Sequence, residues 1–196
     1  MEIKDLLKKV LMIMDLKAST KMEAIDEMVA KLKEKNIISD EAAFKNLILK
    51  REEKSSTGLG EGVAMPHAKT SVVNTPAVLF ARSNKGINYD ALDGEPVYIF
   101  FMIAASEDAH DLHIDTLAKL SKMLLNDDFT QGLKTCGTPD EVYTLIDKYS
   151  EKSQEAIKKE AKEVQNTNKK KILAVTACPT GIAHTYMAEA ALKEAG

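Results

Sequence analysis

The chain has 196 residues, of which 44% are hydrophobic and 29% are charged, which is ordinary for a soluble globular protein. Its net charge of −3 and its lack of tryptophan argue against a nucleic-acid partner. Two cysteines form no disulfide framework, and no stretch has the ~18 apolar residues of a membrane span, so a reducing cytoplasm is the expected location.

Two amphipathic helices are predicted in the first quarter of the chain. The first begins at a capping box, in which the hydroxyl of Thr20 and the carboxylate of Glu23 accept hydrogen bonds from unpaired backbone N–H groups. Its inward face is predicted to carry Met22, Ile25, Met28, Val29 and Leu32. A second helix is predicted from Ser39 to about Arg51. Its inward residues are predicted to be Phe44, Leu47 and Ile48.

The middle of the chain predicts two buried strands and a long helix. Residues 77–82 and 97–104 are rich in the apolar and aromatic residues typical of strands, and residues 92–96 between them have turn chemistry. An amphipathic helix is expected over residues 109–125. Its apolar stripe consists of Leu112, Leu117, Leu120, Met123 and Leu124.

The next helix is predicted to end the first domain. It begins at a second capping box, formed by Thr138 and Glu141, and ends near Tyr149. Residues 150–171 contain almost no large apolar side chains and predict a charged linker. One strand and one helix follow, which cannot bury a core by themselves. The chain therefore looks like a complete domain followed by the first βα unit of a second, truncated domain.

The segment between Arg51 and His67 concentrates residues that can handle a phosphoryl group. A neutral histidine nitrogen can accept phosphate when the other ring nitrogen is held by a hydrogen bond, and Pro66 stiffens the approach to His67. Arg51 offers a planar, permanently charged guanidinium to phosphate oxygens. Hydroxyls and closely approaching backbone amides are predicted to bind phosphate too, from Ser55, Ser56, Thr57, Gly58, Gly60 and Gly62. An ordinary surface turn is the less favoured interpretation.

His113 is the second histidine of interest. It lies at the edge of the apolar stripe of the helix predicted over residues 109–125. Together with His110, one helical turn earlier, and with His67, it could instead ligate zinc. No metal is expected in the favoured interpretation, and a zinc-binding or purely structural module is kept as an alternative hypothesis.

Cys178 is the candidate for a second reactive site. It follows an apolar strand over residues 172–176 and precedes a helix, and a helix N-terminus lowers the pKa of a thiol and can cradle an anion. Gly181 allows a tight turn, and Thr185 adds a hydroxyl for the phosphate. The pattern predicts a cysteinyl-phosphate intermediate. Hydrolysis is the less favoured outcome, because the arginine of tyrosine phosphatases is absent.

Residues 1–149 resemble the fructose/mannitol-type EIIA domains of the bacterial sugar phosphotransferase system. The resemblance rests on RE at residues 51–52, on STGLGEGVAMPH at residues 56–67 and on HIDTLAKL at residues 113–120. These elements agree with the family in order and in separation, which is more specific than a single glycine-rich match.

The resemblance implies both a fold and a site. The implied fold is α/β, with a mixed β-sheet flanked by helices as in mannitol-type EIIA. The implied site has His67 as the residue that accepts phosphate from the carrier protein HPr. Arg51 and His113 match the arginine and the second histidine that flank the phosphorylated ring in that family.

Residues 171–196 resemble the start of a fructose-type EIIB domain, in which the cysteine of CPTGIAHT takes phosphate from EIIA. This implies that Cys178 is a phosphocysteine when that domain is complete. The predicted organisation is an EIIA domain at residues 1–149, a charged linker at residues 150–170 and an EIIB fragment at residues 171–196. The fragment would be one βα unit of a parallel α/β domain.

The resulting hypothesis is a phosphotransferase that carries phosphate from HPr through His67 to an EIIB cysteine. A membrane EIIC domain would then pass the phosphate to a sugar, for which the resemblance implies fructose. No cofactor and no nucleic acid are expected, and the chain is expected to be cytoplasmic, with a membrane tether through EIIC in the full-length protein. The alternative within the same superfamily is a nitrogen-type EIIA regulatory phosphoprotein, which would keep His67 but need no EIIB neighbour.

Overall fold

The computed structural model describes residues 3–108 and 110–150, and its centre is a mixed β-sheet with helices on both faces. The elements in chain order are α1 (Ile3–Leu6), β1 (Leu7–Ile13), α2 (Lys21–Glu34), α3 (Glu41–Lys54), β2 (Gly58–Gly60), β3 (Val63–Ala64), β4 (His67–Lys69), β5 (Ala77–Ile87), β6 (Val97–Ala105), α4 (His110–Leu124) and α5 (Asp127–Thr135). A further helix, α6, covers residues 139–150. The predicted α/β class with a mixed sheet is confirmed.

Parallel and antiparallel pairs coexist in the sheet, whose strand order is β1-β5-β6-β3-β2, with β4 also paired to β6. The antiparallel pair β5–β6 forms the centre, where Leu79 is opposite Met102 and Phe80 is opposite Phe101. β1 runs parallel to β5, and both β3 and β4 run parallel to β6. The consecutive strands β3 and β4 therefore lie along one edge of β6.

Two hydrophobic clusters cover the two faces of the sheet, because successive side chains of a strand point to opposite faces. Leu79 of β5 belongs to the cluster formed with α2 and α3. Its neighbours Val78 and Phe80 belong to the cluster formed with α1, α4, α5 and α6. The helices that carry the predicted site residues, α3 and α4, therefore approach the sheet from opposite faces.

The predicted capping box of α2 is confirmed. The hydroxyl of Thr20 accepts from the Glu23 N–H at 3.3 Å, and the Glu23 carboxylate accepts from the Thr20 N–H at 3.1 Å. The predicted inward residues that are buried are Ile25, Met28, Val29 and Leu32. The prediction is wrong at Met22, which is 45% exposed. At 3.6 residues per turn, Met22 lies about 90° from the centre of the buried stripe, and Ala24 takes the inward position.

Some elements differ from the predicted ones. α3 continues to Lys54, beyond its predicted end, and β5 continues to Ile87. Neither β1 nor α5 is predicted from the sequence. β1 lies at the edge of the sheet with Lys8 and Lys9 exposed, so it lacks the apolar run of a buried strand. Nearly all of the predicted linker and the whole predicted EIIB fragment, residues 151–196, lie outside the described residues.

Candidate functional site

β3 and β4 place His67 at the edge of the sheet. Ala64 pairs with Phe100 and His67 pairs with Ile103, so the two short strands follow each other along the same side of β6. Pro66 separates them, and its carbonyl accepts a hydrogen bond from the Ile103 N–H at 2.9 Å. Because proline has no N–H, it interrupts the ladder without leaving an unpaired donor. The backbone before His67 is therefore stiff and attached to the sheet.

Both ring nitrogens of His67 have partners. Nδ1 lies 2.8 Å from the carbonyl oxygen of Met65, and Nε2 lies 3.2 Å from Nε of Arg51. A carbonyl oxygen only accepts hydrogen bonds, and a guanidinium only donates them. These partners assign the ring proton to Nδ1 and the lone pair to Nε2.

The environment of His67 also favours the neutral ring. Burial lowers the pKa of His67 below its ordinary value, the hydrogen bond to the Met65 carbonyl raises it, the charge of Arg51 lowers it, and the charge of Glu52 raises it. The net effect is a lowered pKa, which keeps the imidazole uncharged near pH 7. The site therefore presents a neutral ring nitrogen beside a permanent cation.

Arg51 is held by the end of α3. It lies in the last turn of the helix, and its Nη1 donates to the carbonyl oxygen of Ser55, the C-cap residue, at 3.0 Å. The last carbonyls of a helix lack partners within the helix, and a cation there is favourable. The guanidinium is thus anchored on one side by the cap and directed on the other side at the ring of His67.

The predicted phosphate ligands Ser56, Thr57 and Gly58 all contact protein atoms. The Ser56 hydroxyl donates to the Tyr89 carbonyl at 3.3 Å and accepts from the Gly58 N–H at 3.1 Å. The hydroxyl of Thr57 is buried and donates to the carboxylate of Glu52. The three residues thus help to fold the loop, and their direct contact with phosphate stays a prediction.

Glycine is required at three positions of the loop, for two different structural reasons. A Cβ atom on Gly58 would lie 2.8 Å from the Cα and 2.9 Å from the Cβ of Ala91, so packing alone requires glycine there. Gly60 and Gly62 have φ angles of 102° and 77°, which other residues adopt only with strain. The shape of the loop, rather than access for a phosphate, is sufficient to explain these three residues.

A buried carboxylate lies beneath the loop and was not predicted from the sequence. Glu52 accepts from the Thr57 N–H at 3.1 Å, from the Thr57 hydroxyl, and from the Tyr89 hydroxyl at 3.2 Å. The ammonium of Lys21 lies 3.1 Å from the same carboxylate. Lys21 comes from α2 and Tyr89 from the segment after β5, whereas Thr57 lies only five residues after Glu52, so no local pattern signals the whole cluster. The only local sign is an acidic residue directly after Arg51.

The remaining predicted site residues are described only in part. His110 and His113 lie in the N-terminal half of α4, and their side chains are outside the described part of the structure. α4 packs against β6, the strand to which β4 is paired. Cys178, Gly181 and Thr185 lie outside the described residues.

Metal ligands and membrane-spanning helices are the two remaining features to consider among the described residues. Among the side chains that the structure describes, no group of three or more His, Cys, Asp or Glu could hold a metal ion. Within residues 3–108 and 110–150, no helix is both long and apolar enough to cross a membrane. Because the His110 and His113 side chains are outside the described set, the zinc alternative stays a hypothesis.

Two family models match the chain. The model of the phosphoenolpyruvate-dependent sugar phosphotransferase system, EIIA 2, matches residues 5–149. The model of the lactose/cellobiose specific IIB subunit of the PTS system matches residues 173–196.

Individual proteins give a consistent picture. The fructose-specific EIIABC component of Bacillus subtilis is 43% identical over 194 residues, which is 99% of this chain and 31% of that protein. The chain thus spans about a third of the length of this relative. Nitrogen regulatory protein IIA-Ntr from Neisseria meningitidis has a TM-score of 0.68 at 27% identity, covering 72% of this chain and 97% of that chain.

A third similarity shows the fold alone, because the sequence identity is 24%. It is to a structure of enzyme IIAMTL in complex with phosphorylated enzyme IIBMTL from Escherichia coli, with a TM-score of 0.63, covering 72% of this chain and 98% of that chain. The similarities in fold and in sequence are thus to the same kind of protein, EIIA domains. Because the EIIA 2 model matches well over half of the chain, this protein belongs to the EIIA 2 family of the phosphoenolpyruvate-dependent sugar phosphotransferase system.

Proposed function

We propose that this chain is a phosphoryl carrier, in which Nε2 of His67 accepts a phosphoryl group from phosphorylated HPr and passes it to the cysteine of an EIIB domain. The observation that carries the proposal is the pair of contacts made by the ring. Nδ1 is held by the Met65 carbonyl at 2.8 Å, and Nε2 lies 3.2 Å from the guanidinium of Arg51. The ring therefore has an oriented lone pair with a cation beside it, as phosphoryl transfer requires.

In the accepting step, the Nε2 lone pair of His67 attacks phosphorus and forms the new P–N bond. The bond between phosphorus and the histidine nitrogen of HPr breaks, and its electron pair returns to the ring of HPr. Arg51 transfers its hydrogen bond from Nε2 to a phosphate oxygen and offsets the incoming negative charge. The proton on Nδ1 stays in place, and the Met65 carbonyl stabilises the positive charge that develops on the ring.

In the donating step, a cysteine thiolate attacks phosphorus, and the electron pair of the broken P–N bond stays on Nε2. The neutral ring of His67 is thereby regenerated. We assign the acceptor as Cys178 in a complete EIIB domain, with Gly181 and Thr185 around its phosphate. The IIB model match at residues 173–196 supports this assignment.

The layout that we propose is an EIIA domain at residues 1–149, a linker at residues 150–170 and the start of an EIIB domain at residues 171–196. A flexible tether of this kind gives the acceptor an effective concentration on the order of millimolar. The similarity to an EIIABC component further suggests a cytoplasmic location with a tether to the membrane through an EIIC domain.

We propose that the other predicted site residues surround the phosphate on His67. His113 would act as a second chargeable neighbour of the phosphate, since its helix packs against the strand that pairs with β4. Ser56 and Gly58 would each exchange an internal hydrogen bond for one to a phosphate oxygen, while Thr57 keeps its contacts with Glu52. Because the hydroxyl of Thr57 is buried, we expect the smallest direct contribution from it.

Sugar transport is favoured over nitrogen-type regulation by the extent of the similarity. The fructose-specific relative is 43% identical over 194 residues, so the likeness continues past the EIIA model match into the region matched by the IIB model. The likeness to the nitrogen regulatory protein covers 72% of the chain. We therefore propose fructose as the sugar that finally receives the phosphate.

The proposal is tested by incubating the protein with phosphorylated HPr. We expect one acid-labile phosphoryl group per chain, bound to His67. His67→Gln should abolish the labelling, whereas His110→Gln, which removes a histidine without a proposed role, should keep it. Labelling that persists in His67→Gln, or that is lost in His110→Gln alone, would overturn the assignment.

A further inference from the structure

We propose that Glu52 is a positioning residue of the carrier site, whose buried carboxylate, neutralised by Lys21, holds Thr57 and through it the backbone that orients His67. This inference rests on the proposed function, which it deepens. The side chain of Glu52 is only 5% exposed, yet each of its oxygens has two donors. Oε1 accepts from the hydroxyls of Thr57 and Tyr89, and Oε2 accepts from the Thr57 N–H and lies 3.1 Å from the ammonium of Lys21.

The negative charge of Glu52 is balanced within the cluster by the positive charge of Lys21. Burying a carboxylate is costly unless it is both paired and hydrogen-bonded. Lys21 meets that requirement, with a side chain that is 19% exposed and an ammonium 4.7 Å from the centre of the Tyr89 ring. Lys21 also lies 3.4 Å from the exposed carboxylate of Asp90. Apolar side chains could fill such a space at lower cost, so we infer that the polar cluster serves to fix a geometry.

A short chain of hydrogen bonds connects the cluster to the ring of His67. Glu52 holds Thr57 at both its N–H and its hydroxyl. The carbonyl of Thr57 accepts from the Met65 N–H at 2.9 Å. The carbonyl of Met65 in turn accepts from Nδ1 of His67 at 2.8 Å. Hydrogen bonds through one residue, Thr57, therefore connect Glu52 to Met65, whose carbonyl selects the tautomer of the ring.

Glu52 also bears on the second member of the site. It directly follows Arg51 in α3, so a shift of the last helical turn would move both side chains together. A displacement of about 1 Å at a reacting group can cost about 100-fold in rate. We therefore expect loss of the carboxylate to affect the rate of transfer rather than the binding of HPr.

The test combines Glu52→Gln with Lys21→Met, singly and together. In Glu52→Gln we expect kcat for transfer from phosphorylated HPr to fall about tenfold or more, with KM changed by less than about twofold. Nitrogen NMR of isotope-labelled histidine should show that the Nδ1–H tautomer of His67 is no longer dominant. Lys21→Met leaves the carboxylate without its cation, and the double variant should recover part of the loss because neither charge remains unpaired.

Lys45→Met is the matched control. Lys45 forms an ion pair with Asp26 that also joins α2 to α3, but both side chains are more exposed than those of the Lys21–Glu52 pair. We expect Lys45→Met to leave the tautomer, kcat and KM unchanged.

A Glu52→Gln protein with the wild-type tautomer and the wild-type kcat would overturn the proposal. Should that variant fail to fold, Tyr89→Phe removes a single hydrogen bond to the carboxylate, and we expect the same changes at smaller size. Wild-type values of both quantities in Tyr89→Phe would then contradict the proposal. If His67 of the unmodified protein takes no phosphate, the proposed function fails, while the tautomer measurement still decides the role of Glu52.

Discussion

Arg82 and Glu52 are two charged side chains that each gather polar groups from distant parts of the chain, yet only Glu52 is connected to the candidate site. Arg82, on β5, donates from Nε to the Met14 carbonyl at 3.2 Å and from Nη1 to the carbonyl of Cys136. It thereby fastens the segments that follow β1 and α5 to the sheet. Glu52 instead fastens the loop that leads through Thr57 to the histidine.

Hydrogen bonds around a charged side chain serve different purposes in these two regions. In both regions a charged side chain with several hydrogen-bond partners specifies a local geometry, although Glu52 is buried and Arg82 is half-buried. At Arg82 that geometry joins secondary structure elements, so its loss should appear in stability. At Glu52 the geometry reaches the ring of His67, so its loss should appear in the rate of phosphoryl transfer. Substitutions that separate these two quantities test the distinction.

Arg82→Met should have the largest effect on stability. It removes a charged donor from backbone carbonyls of three residues. Hydrogen bonds to charged groups contribute about 1.5–3 kcal/mol each, and less at a half-buried site where water competes. We expect the free energy of unfolding, measured with urea, to fall by about 3 kcal/mol. At a temperature where the variant is folded, kcat for transfer should equal that of the wild type. A loss of kcat comparable with that in Glu52→Gln would erase the distinction between the two regions.

Arg51→Lys should have the opposite effects to Arg82→Met, with a lower kcat and nearly unchanged stability. A lysine keeps the charge, but it cannot contact the Ser55 carbonyl and Nε2 of His67 with one planar group. We expect kcat to fall about tenfold, with a change of less than about 1 kcal/mol in the free energy of unfolding. Stopped-flow measurement of phosphate transfer and urea unfolding give the two numbers. A wild-type rate would show that only the charge of Arg51 matters.

The pH dependence of transfer follows from the ring of His67. Its pKa is lowered chiefly by burial, so the neutral form that carries the Nε2 lone pair persists to below pH 6.5. The rate should therefore change little between about pH 8 and about pH 7, and fall to half of its maximum only below pH 6.5. The unfolded chain binds this proton more readily, so His67 also lowers stability as the pH falls below 6.5. An NMR titration with a midpoint above pH 6.5 would contradict the account.

The smallest expected effects come from the two helix caps. Thr20→Ala removes the cap of α2 beside Lys21, and Asp40→Ala removes the cap of α3, whose carboxylate accepts from the Ala43 N–H at 2.9 Å. Each should cost about 1 kcal/mol of unfolding free energy. Only Thr20→Ala should also lower kcat, by about twofold, because Lys21 is the partner of Glu52. Equal values of kcat in the two variants would contradict a role for Lys21 in positioning the site.

The parts of the fold that the sequence predicts are those with local signals. The capping box and the apolar spacing after Thr20 predict α2, because both signals lie within one segment. β1 escapes prediction because it is an edge strand whose partner, β5, is distant in sequence and because Lys8 and Lys9 face solvent. The residues of β1 do not alternate between buried and exposed, so the strand lacks the usual sequence pattern.

In the candidate site, too, local signals are predictable from the sequence and long-range contacts are not. Arg51 and His67 lie in one short segment, and the structure places them in contact, as their chemistry suggests. The carboxylate cluster depends on Lys21 and Tyr89, which reach Glu52 only through the packing of α2 and the segment after β5. Burial that depends on such distant residues cannot be read from local spacing, although the third partner, Thr57, is only five residues from Glu52.

The decisive experiment determines which ring nitrogen of His67 carries the phosphate. Histidine labelled with a nitrogen isotope allows NMR to identify the phosphorylated nitrogen after incubation with phosphorylated HPr. The geometry predicts phosphate on Nε2, with the proton retained on Nδ1 and held by the Met65 carbonyl. Phosphate on Nδ1 of His67, or on another residue, would contradict the account.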